Sequence, residues 1–334
     1  MLVALTDPIE PAGDAILRAA GHESALPSGA GTAALRALCA AADAVIVRRK
    51  LPDDLPLASP RLLAAVRHGV GVDMIPVEAC TASGVVVANV PGANADAVAE
   101  FVVAQMLAAA RHAEAMHADL LAKGWDTARA RADAASELRG KTLGIVGVGA
   151  IGTRLAQIAH HGFGMRVLGH RRNPASLPPH VAPADLPGLF AESDYVTLAC
   201  PLTEATRGLA SAAMLARMKR GAWLLNVSRG AVVDEDALVA ALRQGRIGAA
   251  LDVYAVQPLA PDHPLRSLPN VLLTPHAAGL TRESMEAMST IAAEEVVRVL
   301  QGERPRNFIN PEAWPAAQAR RRGLGHPMPE EAAP

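Results

Sequence analysis

The feature that most constrains this chain is a short apolar run that leads directly into a Gly-x-Gly-x-x-Gly motif. The run Leu143–Val146 suits a buried strand, the glycines are Gly147, Gly149 and Gly152, and a helical pattern follows from Thr153 to His161. In this order the first glycine permits a tight turn, the second lets a ligand approach the backbone, and the third lets helix pack on strand. The helix start offers unpaired N–H groups and the positive end of its dipole. The motif therefore predicts a binding site for the pyrophosphate of a dinucleotide.

The composition favours a soluble protein of about two domains. Hydrophobic residues make up 51% of the 334 residues, but no uninterrupted apolar run reaches membrane-spanning length. The formal net charge is −1 and basic residues form no long stripe, which argues against nucleic acid or an anionic membrane as the main partner. Cys39, Cys80 and Cys200 lie far apart and lack metal-ligand spacing, so we expect reduced thiols in a cytoplasmic protein without a metal site.

Strand and helix patterns alternate along almost the whole chain, which predicts parallel sheets covered by helices. In the first part we expect strands at Leu2–Leu5, Ala44–Val47, Leu62–Val66 and Val85–Ala88. A second series of six strands is predicted at Thr142–Val146, Arg166–Gly169, Tyr195–Leu198, Trp223–Val227, Ala249–Val253 and Val271–Thr274. Long helices are predicted from Asp96 to His117 and from Glu283 to Leu300.

These elements predict an α/β fold of two doubly wound parallel-sheet lobes. We expect residues 1–95 and 283–314 to form a flavodoxin-like substrate-binding lobe, and residues 96–282 to form an inserted Rossmann dinucleotide-binding lobe. Residues 315–334 are rich in Pro, Ala and Arg without periodicity, and we predict that they form a flexible tail.

Polar side chains follow three successive predicted strands of the second series. Arg229 and His276 each come shortly after a strand, and Gln257 lies in the segment after the strand between them. Since ligands bind beyond the carboxyl ends of the strands in such sheets, we expect these groups to converge. The arginine can fork onto a carboxylate and polarise a carbonyl, and the histidine can exchange a proton when a hydride moves. Asp252 is placed to orient a nicotinamide carboxamide. Taken singly, each has a structural alternative, as a surface ion pair or a hydrogen-bonded loop residue.

At this point the chain resembles the D-isomer-specific 2-hydroxyacid dehydrogenases over about residues 40 to 310. The resemblance is carried by the glycine loop and by the segments Gly69–Asp73, Asn89–Asn94, Val98–Glu100, Pro201–Thr203, Asn226–Gly230 and Thr274–His276.

The resemblance implies a homodimer of two-lobed subunits that binds its substrate in the cleft between the lobes. It implies that Arg229 holds the substrate carboxylate and carbonyl, that His276 is the acid/base, and that backbone N–H groups around Val70 and Gly71 bind the carboxylate. Cofactor contacts are expected from Gly147, Gly149, Ala150, Ile151, Gly152, Arg171, Arg172, Cys200, Pro201, Thr206, Val227, Ser228, Asp252 and Gly279.

The chain departs from the family at the residue that orients the histidine. Relatives usually carry a glutamate there, which stabilises the imidazolium, whereas this chain has Gln257 before Pro258. A neutral amide orients the ring but stabilises its charged form less, so we expect a lower pH optimum for keto-acid reduction. Formate dehydrogenases resemble this chain in having Gln-Pro at this place, and formate oxidation needs no proton transfer. Formate is therefore an alternative substrate, although the segments around Val70 and Asn89 resemble those of keto-acid reductases.

The second departure concerns the choice between NAD and NADP. The acidic residue that binds the adenosine ribose is expected about twenty residues beyond the glycine loop. Nineteen residues beyond Gly152 the chain has Arg171, followed by Arg172, and no carboxylate. Two arginines would attract a 2′-phosphate, so the sequence predicts a preference for NADP(H) over NAD(H), unless they lie on the rim of the site.

The sequence is less informative about the substrate. A small pocket near Val70 and Gly71 suits glyoxylate, hydroxypyruvate or a similar short 2-keto acid. The basic cluster Arg48–Lys50 is either a site for a second anionic group or a solvated edge, and His68 has the same two interpretations. A protein that senses dinucleotides without catalysis is a further alternative, against which the presence of Arg229 and His276 argues.

Overall fold

The chain passes twice between two units of structure in the computed structural model, which describes residues 1–326. One unit comprises Met1–Asn94 and the segment from Thr281 onward, and the other comprises Ala95–Leu280. We predicted the two boundaries after residues 95 and 282. Each unit is built around a parallel sheet, which confirms the predicted fold class of two doubly wound lobes.

Twelve strands form the two sheets within the described residues. They are β1 Leu2–Leu5, β2 Glu23–Ala25, β3 Ala44–Val47, β4 Ala64–Arg67, β5 Val86–Ala88, β6 Thr142–Val146, β7 Arg166–His170, β8 Val181–Pro183, β9 Tyr195–Leu198, β10 Trp223–Asn226, β11 Gly248–Leu251 and β12 Val271–Leu273.

The helices cover both faces of these sheets. They are α1 Pro11–Ala19, α2 Thr32–Ala41, α3 Leu55–Ala58, α4 Val77–Ala82, α5 Ala95–Arg111, α6 Ala113–Lys123, α7 Trp125–Ala130, α8 Ala150–Gln157, α9 Leu186–Glu192, α10 Ala212–Arg217, α11 Glu235–Arg243, α12 Arg282–Leu300 and α13 Trp314–Gly323. Among the helices of residues 1–326, none combines the length and the apolar character that a bilayer crossing requires.

The first unit has a five-stranded parallel sheet in the order β2-β1-β3-β4-β5. Its central strand β3 is buried at every position, as expected of a parallel strand with helices on both faces. Helices α1 and α12 pack closely on one side, where a Cβ atom at Gly13 would lie 2.6 Å from the carbonyl oxygen of Ser289. Thr281 and Ser284 form a capping box that starts α12.

The second unit has a seven-stranded parallel sheet in the order β12-β11-β10-β9-β6-β7-β8. Strand β6 pairs with β7 on one side and with β9 on the other. The chain therefore reverses its direction of travel across the sheet at β6, which is where doubly wound sheets bind ligands. The strand edge beyond β6, β9, β10, β11 and β12 carries most of the predicted site residues.

The structure corrects the predicted tail. Residues 314–323 form helix α13, in which Ala317 and Arg321 are buried. The Arg321 guanidinium donates a hydrogen bond of 2.7 Å to the carbonyl of Leu300 and so caps the end of α12. No helical periodicity is recognisable in this segment because α13 is short and rich in arginine. Residues 327–334 of the predicted tail lie outside the described residues.

The secondary structure differs from the prediction in three places. Strands β2 and β8, which have three residues each and lie at the sheet edges, were not predicted. The helix predicted from Asp96 to His117 is two helices, because His112 adopts a left-handed backbone with φ +53° between α5 and α6.

Candidate active site

The glycine loop lies between β6 and α8, and its three glycines do different work. Gly147 has φ +96°, and a Cβ atom there would lie 2.5 Å from the backbone nitrogen of Cys200. A Cβ atom at Gly152 would lie 2.5 Å from the carbonyl oxygen of Gly147. Around Gly149, in contrast, a Cβ atom would meet nothing within 4 Å. Gly147 and Gly152 therefore serve the turn and the packing, whereas the space at Gly149 is left open for a ligand.

The start of α8 fits the phosphates of a dinucleotide. Within residues 1–326, the N–H groups of Ala150 and Ile151 donate to no protein acceptor, as is usual in the first turn of a helix. These donors and the positive end of the helix dipole favour an anion beside the open space at Gly149. The residues present thus fit a nicotinamide dinucleotide, which supplies or accepts the hydride when bound.

The segment after β9 packs against the glycine loop. Cys200 is buried, and its carbonyl accepts a hydrogen bond from the Ser228 hydroxyl. Burial raises the pKa of the Cys200 thiol, so the side chain is a packing group rather than a nucleophile. The next turn is held by Thr206, whose hydroxyl donates to the carbonyl of exposed Pro201 at 2.7 Å. The predicted cofactor residues after β9 and β10 are thereby linked.

The two arginines predicted to bind a 2′-phosphate follow β7. Arg171 lines an open cavity of about 340 Å³, together with His170, Pro174 and Asp185. Its guanidinium donates to the carbonyl of Ser176 at 3.0 Å, which holds the side chain over the loop after β7. Arg172 is exposed beside it. The end of β7 is thus positively charged, with Asp185 as an opposing carboxylate that already caps α9 through Gly188 N–H.

Asp252 connects the segments after β11 and β12. It is 2% exposed, and its Oδ1 atom accepts hydrogen bonds from the Thr274 hydroxyl at 2.7 Å and from Ala277 N–H at 2.8 Å. Its Oδ2 atom accepts from Ala278 N–H at 2.9 Å. In the structure this carboxylate therefore stabilises the loop that carries His276. Its contact with a nicotinamide stays a prediction.

His276 itself has an unusual backbone conformation. Its φ is +57°, the left-handed region that non-glycine residues rarely adopt, and its N–H donates to the carbonyl of Asp252 at 2.8 Å. The ring nitrogen Nδ1 lies 3.0 Å from the Gln257 side-chain oxygen. Because an amide oxygen only accepts, Nδ1 carries the proton, and Nε2 is the basic atom of the neutral ring. Gln257 thus selects a tautomer that is suited to proton exchange at Nε2.

Arg229 leaves the sheet at the end of β10 in a fixed backbone conformation. Its carbonyl accepts from the Asn226 side chain at 3.0 Å, and its Nη1 donates to the carbonyl of Ser228 at 2.8 Å. At the next residue, Gly230, a Cβ atom would lie 1.9 Å from the carbonyl carbon of Tyr254. The chain after β10 therefore touches the chain after β11, which brings the segments of Arg229 and Gln257 together. Val227 and Gly279 lie half-buried in the same group of loops.

The predicted substrate loop of the first unit follows β4. Val70 is 40% exposed, and within residues 1–326 neither its N–H group nor that of Gly71 donates to a protein acceptor. Arg67 donates to the carbonyl of Gly71 at 3.1 Å and Asn89 donates to that of Val70 at 2.7 Å. Neither of these two side chains was among the predicted site residues. Their signals in the sequence were indirect: Asn89 begins the segment Asn89–Asn94, and Arg67 lies two residues before the segment Gly69–Asp73, and both segments carry the family resemblance.

The basic cluster Arg48–Lys50 is engaged with neighbouring groups. Arg49 forms a bidentate ion pair with Asp7, and Lys50 lies 3.8 Å from Asp53. Arg48 donates to the carbonyl of Pro8 and lies beside Met285. These contacts favour the solvated-edge interpretation for Arg49 and Lys50 over a second anion site.

His68 is a buried structural group. Its Nε2 lies 2.9 Å from the Ser289 hydroxyl, which in turn accepts from Glu10 N–H. Burial, and next the charges of Arg48 and Arg67, lower its pKa to about 4, so the ring is neutral at physiological pH.

Comparison with known proteins decides the family. Residues 103–278 match the model of the D-isomer specific 2-hydroxyacid dehydrogenase NAD binding domain. A glyoxylate reductase of Aeropyrum pernix is 42% identical over 269 residues, which are 78% of this chain and 79% of that protein. The chain belongs to the D-isomer-specific 2-hydroxyacid dehydrogenases. It is therefore an NAD(P)-dependent oxidoreductase of small 2-hydroxy and 2-keto acids.

Two solved structures are informative about this dehydrogenase. An NADPH-dependent glyoxylate/hydroxypyruvate reductase of Sinorhizobium meliloti superposes with a TM-score of 0.81 at 28% identity, covering 93% of this chain and 98% of that one. An NAD-dependent formate dehydrogenase of Staphylococcus aureus superposes with a TM-score of 0.80 at 28% identity, covering 92% and 98%. The fold is thus shared by keto-acid reductases and formate dehydrogenases, and the choice between them depends on the site residues.

Proposed function

We propose that this dehydrogenase reduces a short 2-keto acid of the glyoxylate or hydroxypyruvate type to the D-2-hydroxy acid, with NADPH as the preferred cofactor. The observation that carries the proposal is the hydrogen bond between His276 Nδ1 and Gln257, which sets the ring for proton exchange at Nε2. Reduction of a ketone to an alcohol needs such a proton, whereas oxidation of formate does not. The similarity to a glyoxylate reductase at 42% identity supports the same substrate class.

Each polar group has a distinct role in the proposed reaction. The Arg229 guanidinium forks onto the substrate carboxylate and polarises the carbonyl, so that the carbonyl carbon accepts a hydride. The N–H groups of Val70 and Gly71 bind the carboxylate. His276 Nε2 holds the proton that the developing alkoxide takes up, and Gln257 keeps that ring in position.

The preference for NADP(H) is proposed from the charge at the end of β7. Arg171 lines the cavity there and Arg172 stands exposed beside it, in the region where NAD-binding sheets place a ribose-binding carboxylate. A 2′-phosphate would pair with these guanidinium groups, whereas an NAD ribose would find no acceptor in Arg171 or Arg172. The NADPH-dependent reductase of similar fold supports this assignment.

The assembly and location of the protein are proposed on more general grounds. We expect a homodimer, carried over from the family resemblance. We expect it to act in the cytoplasm, because Cys39, Cys80 and Cys200 are free thiols, a state that reducing compartments maintain.

Formate oxidation is the second candidate, and one observation favours it. Gln257 stands where a glutamate would strengthen proton transfer, and a formate dehydrogenase shares the fold. A reaction without proton transfer would make no use of the tautomer that Gln257 imposes on His276. We therefore rank it below keto-acid reduction.

A steady-state assay of nicotinamide absorbance separates these proposals. The purified protein is given NADPH or NADH with glyoxylate or hydroxypyruvate, and NAD+ or NADP+ with formate. We expect turnover of the keto acids, faster with NADPH than with NADH at equal subsaturating concentration. Reduction of NAD+ or NADP+ by formate without turnover of either keto acid would overturn the proposed substrate class, and equal or better turnover with NADH would overturn the cofactor preference.

A further inference from the structure

The loop after β4 turns every one of its carbonyl groups toward a donor of its own unit. From His68 to Gly71, the carbonyls accept hydrogen bonds from Arg67 Nη1 (2.8 Å), Val90 N–H (2.9 Å), Asn89 Nδ2 (2.7 Å) and Arg67 Nε (3.1 Å), in that order. Over the same stretch, the N–H groups of Val70 and Gly71 meet no protein acceptor within residues 1–326. The loop thus has its acceptors satisfied and two of its donors left open.

The planarity of the peptide links these two facts. In a trans peptide the C=O of one residue and the N–H of the next point in opposite directions. A hydrogen bond that holds the carbonyl of Val70 toward Asn89 therefore aims the N–H of Gly71 away from Asn89. Asn89 is 8% exposed, so its position is fixed by the surrounding core. In this way a buried amide decides whether the loop presents a donor or an acceptor.

The loop has the freedom to present the opposite face. Gly71 lacks a side chain and Val70 is 40% exposed, so rotation of the peptide between them meets little steric resistance. Rotation would replace the Gly71 N–H by the Val70 carbonyl, which repels a carboxylate. Arg67 restrains the following peptide in the same manner through the carbonyl of Gly71, and its third contact, to Val47 at 2.7 Å, fixes the guanidinium to β3.

We propose that Asn89, supported by Arg67, is a positioning residue for the substrate carboxylate: it keeps the Val70–Gly71 peptide in the orientation that offers Gly71 N–H. The inference rests on the proposed function, in which this loop binds the carboxylate. Asn89 acts through the peptide and needs no contact with the substrate. Its loss therefore weakens carboxylate binding without altering the dinucleotide site on the second unit.

The test variant is Asn89→Leu, whose side chain has the same branched arrangement of four heavy atoms but no hydrogen-bond donor, and its matched control is Asn310→Leu. Asn310 is also a buried asparagine of the first unit, but its side chain bonds the backbone of Val85 and Val87, away from the loop. We expect Asn89→Leu to raise KM for the keto acid about tenfold or more, the usual effect of losing one hydrogen bond to a charged group. The Kd for NADPH and kcat should change much less, and Asn310→Leu should leave KM within about twofold of wild type even where it lowers Tm.

A second variant, Arg67→Lys, tests the same inference if Asn89→Leu does not fold. The donors of an ammonium group share one nitrogen and cannot reproduce the planar guanidinium, whose Nε bonds Gly71 while its Nη1 bonds Val47 and His68, so we expect the same selective rise in KM. An unchanged KM in a folded Asn89→Leu protein would overturn the inference. So would an equal rise in KM in Asn310→Leu, since that would assign the effect to general destabilisation.

Comparison of a keto acid with its methyl ester separates this failure from failure of the proposed function. If the wild-type enzyme requires the carboxylate, kcat/KM for the acid is much larger than kcat/KM for the ester. Asn89→Leu should then lower the ratio of these two values by the same factor by which it raises KM for the acid. If the wild-type enzyme turned over acid and ester equally well, carboxylate recognition itself would be wrong. If the acid-to-ester ratio of kcat/KM is large in the wild-type enzyme and is unchanged in Asn89→Leu, only the role of Asn89 is wrong.

Discussion

The Nδ1 atom of His276 lies 3.0 Å from the side-chain oxygen of Gln257, at a histidine whose backbone is left-handed with φ +57°. The amide fixes the tautomer and the direction of the ring, but it brings no negative charge to stabilise an imidazolium. Orientation and charge stabilisation, which a glutamate would supply together, are therefore separated in this enzyme.

Substitution of Gln257 by glutamate should move the pH–rate profile of keto-acid reduction toward higher pH. A carboxylate beside Nδ1 stabilises the protonated ring, so the proton donor persists to higher pH. The measurement is kcat/KM for glyoxylate as a function of pH for wild type and Gln257→Glu. Gln257→Leu is the control, because it removes the orienting acceptor and should lower kcat. Superimposable profiles for wild type and Gln257→Glu would refute this account of the pair.

Substitution of Arg171 by alanine should weaken NADPH binding selectively. Loss of a charge-assisted hydrogen bond to the 2′-phosphate should raise KM for NADPH about tenfold or more, while KM for NADH changes little. The control is Arg220→Ala, which removes another exposed arginine of the second unit. An equal rise in KM for NADPH and KM for NADH would show that Arg171 does not bind the 2′-phosphate.

Substitution of two glycines of the motif by alanine should affect different properties: cofactor binding at Gly149 and stability at Gly152. A Cβ atom at Gly149 meets no protein atom within 4 Å, so Gly149→Ala should keep the wild-type Tm while its methyl group obstructs the pyrophosphate and raises Kd for NADPH. At Gly152 the Cβ atom would lie 2.5 Å from the carbonyl oxygen of Gly147, so Gly152→Ala should lose about 1–3 kcal/mol of stability by overpacking. Thermal unfolding and NADPH fluorescence titration measure the two effects. Loss of stability at Gly149 with tight binding retained would contradict these assignments.

His68 should make the first unit less stable in weak acid. Its pKa is lowered from 6.5 to about 4 by burial and then by Arg48 and Arg67, so the unfolded chain takes up the proton first as the pH falls. The contribution of the neutral ring is complete above pH 6.5 and is lost as the pH falls toward about 4, a decrease of about 3 kcal/mol. Urea denaturation across this range should show a slope that His68→Gln reduces and that the exposed control His117→Gln retains. An equal slope in wild type and His68→Gln would contradict the prediction.

The placement of the candidate site residues at the strand ends could be predicted because it depends on short-range pattern. In a parallel sheet the carboxyl ends of the strands lie on the same edge, so residues just beyond β10 and β12, such as Arg229 and His276, are placed on that edge by the strand pattern alone. The glycine loop could be predicted for the same reason. Its strand, its three glycines and the start of α8 all lie within sixteen consecutive residues, 142–157, whereas the close contact of Gly147 with Cys200 comes from a distant part of the chain.

Other features depend on contacts between residues far apart in the chain. Asn89 reaches Val70 across nineteen residues, and Arg321 caps α12 from twenty-one residues away, so neither pairing leaves a periodic signal. The edge strands β2 and β8 have only three residues each, too few for an alternating pattern to stand out. The break at His112 lacks a Gly or Pro, which would have marked it.

The most direct test of the proposed activity is the configuration of the product formed from hydroxypyruvate and NADPH. The purified enzyme is allowed to consume a limiting amount of NADPH, and the glycerate is resolved on a chiral column. We expect D-glycerate in an amount equal to the NADPH oxidised, and none from His276→Ala under the same conditions. L-glycerate, or no glycerate from an enzyme that oxidises formate, would contradict the assignment.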